Sequence, residues 1–150
     1  MEVMAAVFII LIGLVGIMSL IGKSLNAGTL STSRLIAANL AQEGIEVVKN
    51  IRDLNYGANG WDDWYGSLAD GTYSVQYDSQ DFGSLSANYL NYDSSSGLYN
   101  YTSGTASLFK REIRITKISA VEIKVVSRVT WNERGALHAM EVEDRLWNWR

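Results

Sequence analysis

Glu2 is the only ionisable side chain among the first 22 residues, and the 20 residues that follow it, Val3 to Gly22, read VMAAVFIILIGLVGIMSLIG. As an α-helix this run rises about 30 Å at ~1.5 Å per residue, the thickness of a bilayer's hydrocarbon core. Lys23 is the first cation. A secretory signal peptide opens on positive charge and closes on a small-residue cleavage site. This run opens on a carboxylate, and its helical pattern continues beyond Lys23 without an A-x-A-like stop. A charge at the edge of an apolar helix is costly in lipid, so Glu2 is the residue that needs a purpose.

From residue 24 to residue 55 the pattern turns amphipathic. The apolar positions are Leu25, Leu30, Ala37, Leu40, Gly44, Val47, Val48, Ile51 and Leu54, the later of them recurring at spacings of three and four, with Arg34, Asn39, Gln42, Glu43, Glu46, Lys49 and Arg52 filling the remainder. That is one apolar face of a helix. Glu46 and Lys49 stand at i,i+3 and can pair for a few tenths of a kcal/mol. The spacing predicts one helix of roughly 50 residues, from about Val3 to Leu54, ending at Asn55-Tyr56-Gly57, where glycine offers a stop. A helix of this length exceeds what a 150-residue globule encloses and is expected to protrude.

Gly13, Gly16, Gly22, Gly28 and Gly44 each weaken that helix by ~1 kcal/mol relative to alanine. Two readings stand side by side. Small residues let apolar helices pack closely in lipid, and Gly13, Gly16 and Gly22 are also the places where the helix could melt.

Residues 56–107 change to Gly, Ser, Asn, Asp and Tyr, the composition of a variable loop region with turn formers at short intervals. Thr72–Tyr77 and Gly97–Tyr101 alternate at period two and read as short strands. Interleaved tyrosine and serine suit a recognition surface, although half-buried loop aromatics are the commoner outcome. Residues 108–150 form the clearest β region. Phe109–Ile118 alternates, with Phe109, Arg111, Ile113 and Ile115 sharing one face. Val121–Trp131 repeats the pattern, Asn132-Glu133-Arg134-Gly135 is a hairpin signal, and Ala136–Trp147 returns. The fold class is therefore α+β, the second half of the helix packing on an antiparallel sheet of about four strands.

Charge is distributed unevenly. Between Leu54 and Phe109 there is no Lys or Arg, while Asp62, Asp63, Asp70, Asp78, Asp81 and Asp93 give −6; from Lys110 onward nine cations face six acids, +3. A dedicated nucleic-acid surface carries a strong basic excess, and none is evident here. Complementarity between subunits is one use of such asymmetry; a solvated surface is the other.

The search for chemistry finds little. With no cysteine there is no thiol nucleophile, thiolate metal site or disulfide framework. The lone histidine, His138, reads as a surface or cross-strand residue rather than a catalyst. Asp62, Asp63 and Asp70 lie near glycines but lack the order of a calcium loop, and Trp61, Trp64 and Tyr65 read as pins of that loop to the sheet. Asn100-Tyr101-Thr102 is a formal glycosylation acceptor of the kind that arises by chance. The chain reads as a non-enzyme without catalytic residues, metal or cofactor.

The segment Glu2-Val3-Met4-Ala5-Ala6-Val7-Phe8-Ile9-Ile10-Leu11-Ile12-Gly13-Leu14 resembles the N-terminal helix of type IV pilins. Val129-Thr130-Trp131-Asn132-Glu133-Arg134-Gly135 with Leu146-Trp147-Asn148-Trp149-Arg150 is similar to the closing hairpin of PilV-type pilins. With the helix these cover about half of the chain. The proline that often kinks the family's helix is missing, and because only Met1 precedes Glu2 the sequence reads as processed, as truncated or as starting inside the N-terminal segment, where the family places a basic leader ending in glycine. The resemblance implies a type IV pilin fold and a structural subunit held by one span in the inner membrane. That subunit would then polymerise with copies of itself into an extracellular filament serving adhesion, twitching motility or DNA uptake. It implies processing by a prepilin peptidase, N-methylation, and assembly machinery as partners. Glu2 would pair with the N-terminal amine of another subunit, at Met1 or at whichever residue processing leaves first, and Val3, Phe8, Ile9, Leu11, Ile12, Gly13, Gly16 and Leu20 would pack the filament core. A type II secretion or competence pseudopilin, forming a short piston, is the nearest alternative. A single-pass membrane-anchored binding module is the alternative of another class.

Overall fold

The computed structural model describes residues 2–59, 69–84 and 88–148. One helix, α1 (Glu2–Asn59), precedes eight strands: β1 (Gly71–Ser74), β2 (Gly83–Ser84), β3 (Asn91–Asp93), β4 (Leu98–Asn100), β5 (Thr105–Ala106), β6 (Phe109–Ser119), β7 (Glu122–Glu133) and β8 (Ala136–Trp147). The chain divides into two compact units, residues 1–35 and 36–150, each described by itself. The fold is α+β, a long N-terminal helix packed through its later turns on antiparallel sheet.

Helix α1 passes through Gly57 and ends at Asn59, beyond the expected stop. Glycine terminates a helix by adopting a left-handed conformation, and Gly57 is not among the glycines with positive φ. The predicted Glu46–Lys49 pair is present at 3.1 Å.

The main sheet has five strands in the order β2-β1-β6-β7-β8, one more than expected, and a separate sheet runs β4-β3-β5. The meander β6-β7-β8 follows the expected alternation. Phe109, Arg111, Ile113 and Ile115 are buried on β6, and Ile123, Val125, Ser127, Val129 and Trp131 on β7. The outward side chains of these long strands are laced with exposed ion pairs such as Arg128–Glu141 and Lys124–Glu143, which add little stability but keep the face soluble. The expected strand over Thr72–Tyr77 stops at Ser74. Gln76 and Ser79 close a turn there, with Gln76 N donating to Ser79 Oγ at 2.9 Å and Ser79 N to Gln76 O at 3.0 Å. The small sheet grows from the Gly97–Tyr101 signal and joins β6 through Leu90, whose N–H donates to Phe109 O and whose carbonyl accepts from Ser107 N.

Burial on the helix begins at Ala37 and continues through Leu40, Ala41, Ile45, Val47, Val48 and Ile51, while Leu25 and Leu54, assigned by spacing to the same face, are exposed. Two apolar clusters result. One gathers Val48, Ile51, Val75, Ile113, Ile123 and Leu146; the other gathers Ala37, Leu40, Leu90, Phe109, Val129 and Trp131. Between them lie Gly44, Arg111 and Ser127, each flanked in sequence by members of both clusters. A Cβ placed on Gly44 would stand 2.5 Å from Ser127 Oγ, 2.8 Å from Ile113 Cδ1 and 3.2 Å from Arg111 Cδ. Any side chain at position 44 would make Ser127 Oγ and Ile113 Cδ1 shift, so glycine suits this close approach of helix and sheet.

Gly44→Ala is expected to destabilise residues 36–148 by about 1–3 kcal/mol through overpacking. Ser127→Ala removes a buried hydroxyl that has no partner among the described residues, so it should be neutral or stabilising. The double variant should lose less than Gly44→Ala alone. Denaturant unfolding followed by tryptophan fluorescence checks all three, and an additive double variant would contradict the contact.

Candidate functional site

Two features of the described chain have functional character. The first is the apolar opening of α1. Its segment Glu2–Gly57 contains a stretch long and apolar enough to cross a membrane. The filament-core candidates Val3, Phe8, Ile9, Leu11, Ile12 and Leu20 are all exposed, between 56% and 75%. Gly13 and Gly16, as well as Gly22, have no neighbour within 4 Å of an added Cβ. Ile10, Leu14, Ile17 and Ile21 are exposed too, so the helix is apolar on every side. Such a helix is covered by lipid or by protein, because water does not solvate it. Glu2 sits in its first turn, where the helix dipole favours a carboxylate by ~0.3–1 kcal/mol at exposed positions. Met1, the other assembly candidate, lies outside the described residues, as do Trp61, Asp62, Asp63, Trp64, Tyr65, Trp149 and Arg150.

The second feature is a groove beside a buried arginine. Spacing put Arg111 on the inner face of β6 without giving it a role; its side chain is fully buried. Nη1 donates to Glu43 Oε1 at 2.8 Å and to Leu40 O at 3.0 Å, and Nη2 to Val75 O at 2.7 Å. The guanidinium thereby fastens the helix and the segment after β1 to the sheet through charge-assisted bonds. Arg111 Nε has no partner among the described residues. Tyr101 completes the arrangement by donating its hydroxyl to Arg111 O at 3.3 Å. Burial pushes the Tyr101 pKa up, with Arg111 pulling partly against it.

Over this clamp opens a surface cavity of about 350 Å³ lined by Val75, Gln76, Ser79, Asp81, Phe82 and Tyr101, among others. Gln76 is committed to the framework. Its Oε1 accepts from Tyr101 N at 3.0 Å and its Nε2 donates to Asp78 at 2.8 Å.

The remaining sequence candidates have structural places. His138 stacks on Trp131 across β7 and β8, ring centroids 5.3 Å apart. Asp70 accepts from the Lys117 N–H. Asn100 is buried, and its Oδ1 accepts from the N–H groups of Thr102 and Ser103 at 2.8 and 2.7 Å, a turn cap rather than an open acceptor for a glycan. Asp93 accepts from Ser95 Oγ and N, which holds its carboxyl below the usual range. Among the described residues no three His, Asp or Glu side chains gather in a metal-holding group. No family model, curated protein or solved structure matches the chain.

Arg111→Met is expected to destabilise the fold by about 2–4 kcal/mol, because two buried carbonyls lose their donor. Glu43→Gln should cost less, about 1–2 kcal/mol, since an amide oxygen still accepts and the partly exposed site admits water. Thermal unfolding of the full chain in detergent orders the two, and a larger loss for Glu43→Gln would contradict the clamp.

Proposed function

We propose that the chain is a structural subunit of a type IV pilus or pilus-like filament, held in a membrane by the first half of α1 before assembly. One observation carries this reading: a helix apolar on every side, opening on a single carboxylate, continues into turns that pack on an antiparallel sheet. The resemblance of residues 2–14 to the pilin N-terminal segment supports it independently of the packing. The role is mechanical, and it requires no catalytic residue, metal or cofactor.

Fully burying one Leu, Ile, Val or Phe side chain from water is worth roughly 1.5–3 kcal/mol. Lipid already shields these side chains, so little of that is gained on moving from membrane to filament. Assembly must therefore draw on close packing, on polar pairing and on machinery outside the chain. Glu2 is the polar group available for it. An unpaired carboxylate in an apolar core is strongly unfavourable, whereas a carboxylate meeting the α-amino group of a staggered neighbour is neutralised. Gly13, Gly16 and Gly22, open on all sides within one chain, are where neighbouring helices can approach.

Glu2→Gln is expected to insert in the membrane at wild-type levels and to assemble poorly or out of register. Electron microscopy of the cell surface, with subunit levels matched by immunoblot, reads the result. Normal filaments from Glu2→Gln would remove the pairing and leave only the helix dipole. Mass spectrometry of purified filaments tests the broader reading. A pseudopilin would yield no long filaments, and an anchored binding module would remain monomeric in detergent irrespective of Glu2.

A further inference from the structure

Among the described residues of 36–148, one cation and one carboxylate have no described partner, Arg134 and Asp81. The other described cations there are engaged: Lys49 meets Asp144, Lys110 sits over the Tyr89 ring, Arg128 meets Glu141 and Arg145 meets Glu122. The acids are engaged likewise, Glu43 by Arg111, Asp78 by Gln76 and Asp93 by Ser95.

Each unpaired residue is presented rather than merely exposed. Arg134 is at the tip of the β7–β8 hairpin, where φ is 56° for Arg134 and 80° for Gly135, a turn with both central residues left-handed. A positive φ on a bulky residue is uncommon, and here it sets a long cationic side chain at the apex. Asp81 lies in the 350 Å³ groove beside Phe82 and Tyr101. Ser79 Oγ and both ends of the Gln76 amide are already bonded within the framework. What remains to a ligand is an apolar and aromatic wall with one carboxylate at its rim. That chemistry suits a guanidinium on an aliphatic stem, the stem and the planar cation against the half-buried rings of Phe82 and Tyr101 and its N–H groups on the acid. The absence of Lys and Arg from residues 55–108 adds an attractive field for such a cation.

We propose that Arg134 of one copy docks in the Asp81 groove of a second copy. The contact cannot form within one chain. The groove adjoins β1 and β2 at one edge of the main sheet, while Arg134 caps β7 and β8 at the other. Three strand intervals from β2 to β7 span roughly 14 Å at ~4.8 Å each. Two different surfaces meeting head to tail make a heterologous contact, which repeats along a helical polymer when its rotation does not close. The inference rests on the filament reading and adds to it a side-to-side contact remote from Glu2.

The chain's lack of cysteine makes the test clean. Two differently tagged full-length chains, one Asp81→Cys and one Arg134→Cys, are co-expressed, and filaments are isolated and oxidised. A mixed disulfide is expected, with no dimer from either chain alone. Filaments lacking the mixed disulfide overturn the proposed occupant. The groove is tested separately by titrating agmatine into the full chain in detergent and following the Phe82 and Tyr101 ring resonances. Saturable shifts, weakened at least about tenfold by Asp81→Asn, are expected for a charge-assisted site; flat shifts overturn the groove's chemistry. A chain that binds agmatine but never polymerises overturns the filament reading and, with it, the occupant. Assembly should also fall in Asp81→Arg and in Arg134→Asp and recover when both changes share a chain, a rescue that a purely structural role would not give.

Discussion

The folded part of this molecule depends on how closely one helix turn approaches one strand pair. At Gly44 there is no room for even a methyl group between the helix and Ser127, Ile113 and Arg111. That approach lets Arg111 reach Leu40 O and Glu43 on one side and Val75 O on the other. A wider separation would leave a buried guanidinium short of its acceptors, which costs more than the pair itself contributes. The small residue and the large charged one are therefore a single device. It explains why the core is two clusters divided by a polar layer rather than one continuous apolar sheet–helix seam. A layer of that kind also fixes register. Sliding the helix by one turn would remove Glu43 from Arg111 and set a bulkier residue against Ser127, so alternative packings of the same amphipathic face are disfavoured.

The same clamp shapes the surface above it. Arg111 holds the Val75 carbonyl, Tyr101 reaches down to the Arg111 carbonyl, and Gln76 ties Tyr101 N to Asp78. The groove walls are consequently positioned by bonds to the core, although Ser79, Asp81 and Phe82 belong to a stretch that reads in the sequence as loop. A binding surface supported from beneath is pre-formed, and little ordering free energy is spent when something enters it.

How much of this was legible follows from which interactions repeat along the chain. The helix and the β6-β7-β8 meander declare themselves through period 3.6 and period two, signals averaged over many residues. Arg111 fell in register with Phe109, Ile113 and Ile115, so its burial was readable, but its partners lie 36 to 71 residues away and leave no local trace. Ala41 and Ile45 joined the core although the spacing had favoured Leu54, because the sheet covers the helix from Ala37 to Ile51 and leaves Leu54 uncovered. The fifth strand escaped notice since Gly83–Ser84 is two residues long and pairs only with Tyr73 and Ser74. Asp81 and Arg134 looked like ordinary surface charges. They become distinctive only when every neighbouring charge has been matched to a partner.

A chain can satisfy its own apolar groups and still be unfinished. From Ala37 to Ile51 the helix has its apolar face covered, and the buried charge that faces it, Arg111, is bonded, while the segment from Val3 to Ile21 has none of its large apolar side chains covered by the chain itself. Something else must cover it, and an apolar surface discriminates poorly between lipid tails and the same helix of another copy, both of which exclude water. Hydrophobicity therefore explains why the segment leaves water and does not explain which of the two environments it prefers. The preference must come from directional terms that differ between them, namely backbone approach at glycines and pairing of charge. In the proposed filament those terms are concentrated at few places: Gly13, Gly16 and Gly22 along the helix, Glu2 at its start, and a groove and a hairpin tip on opposite edges of the sheet. On that proposal, few sites of strong angular preference, set on a large surface that is nearly indifferent, would let a subunit diffuse freely in a membrane and still pack in one arrangement once assembled.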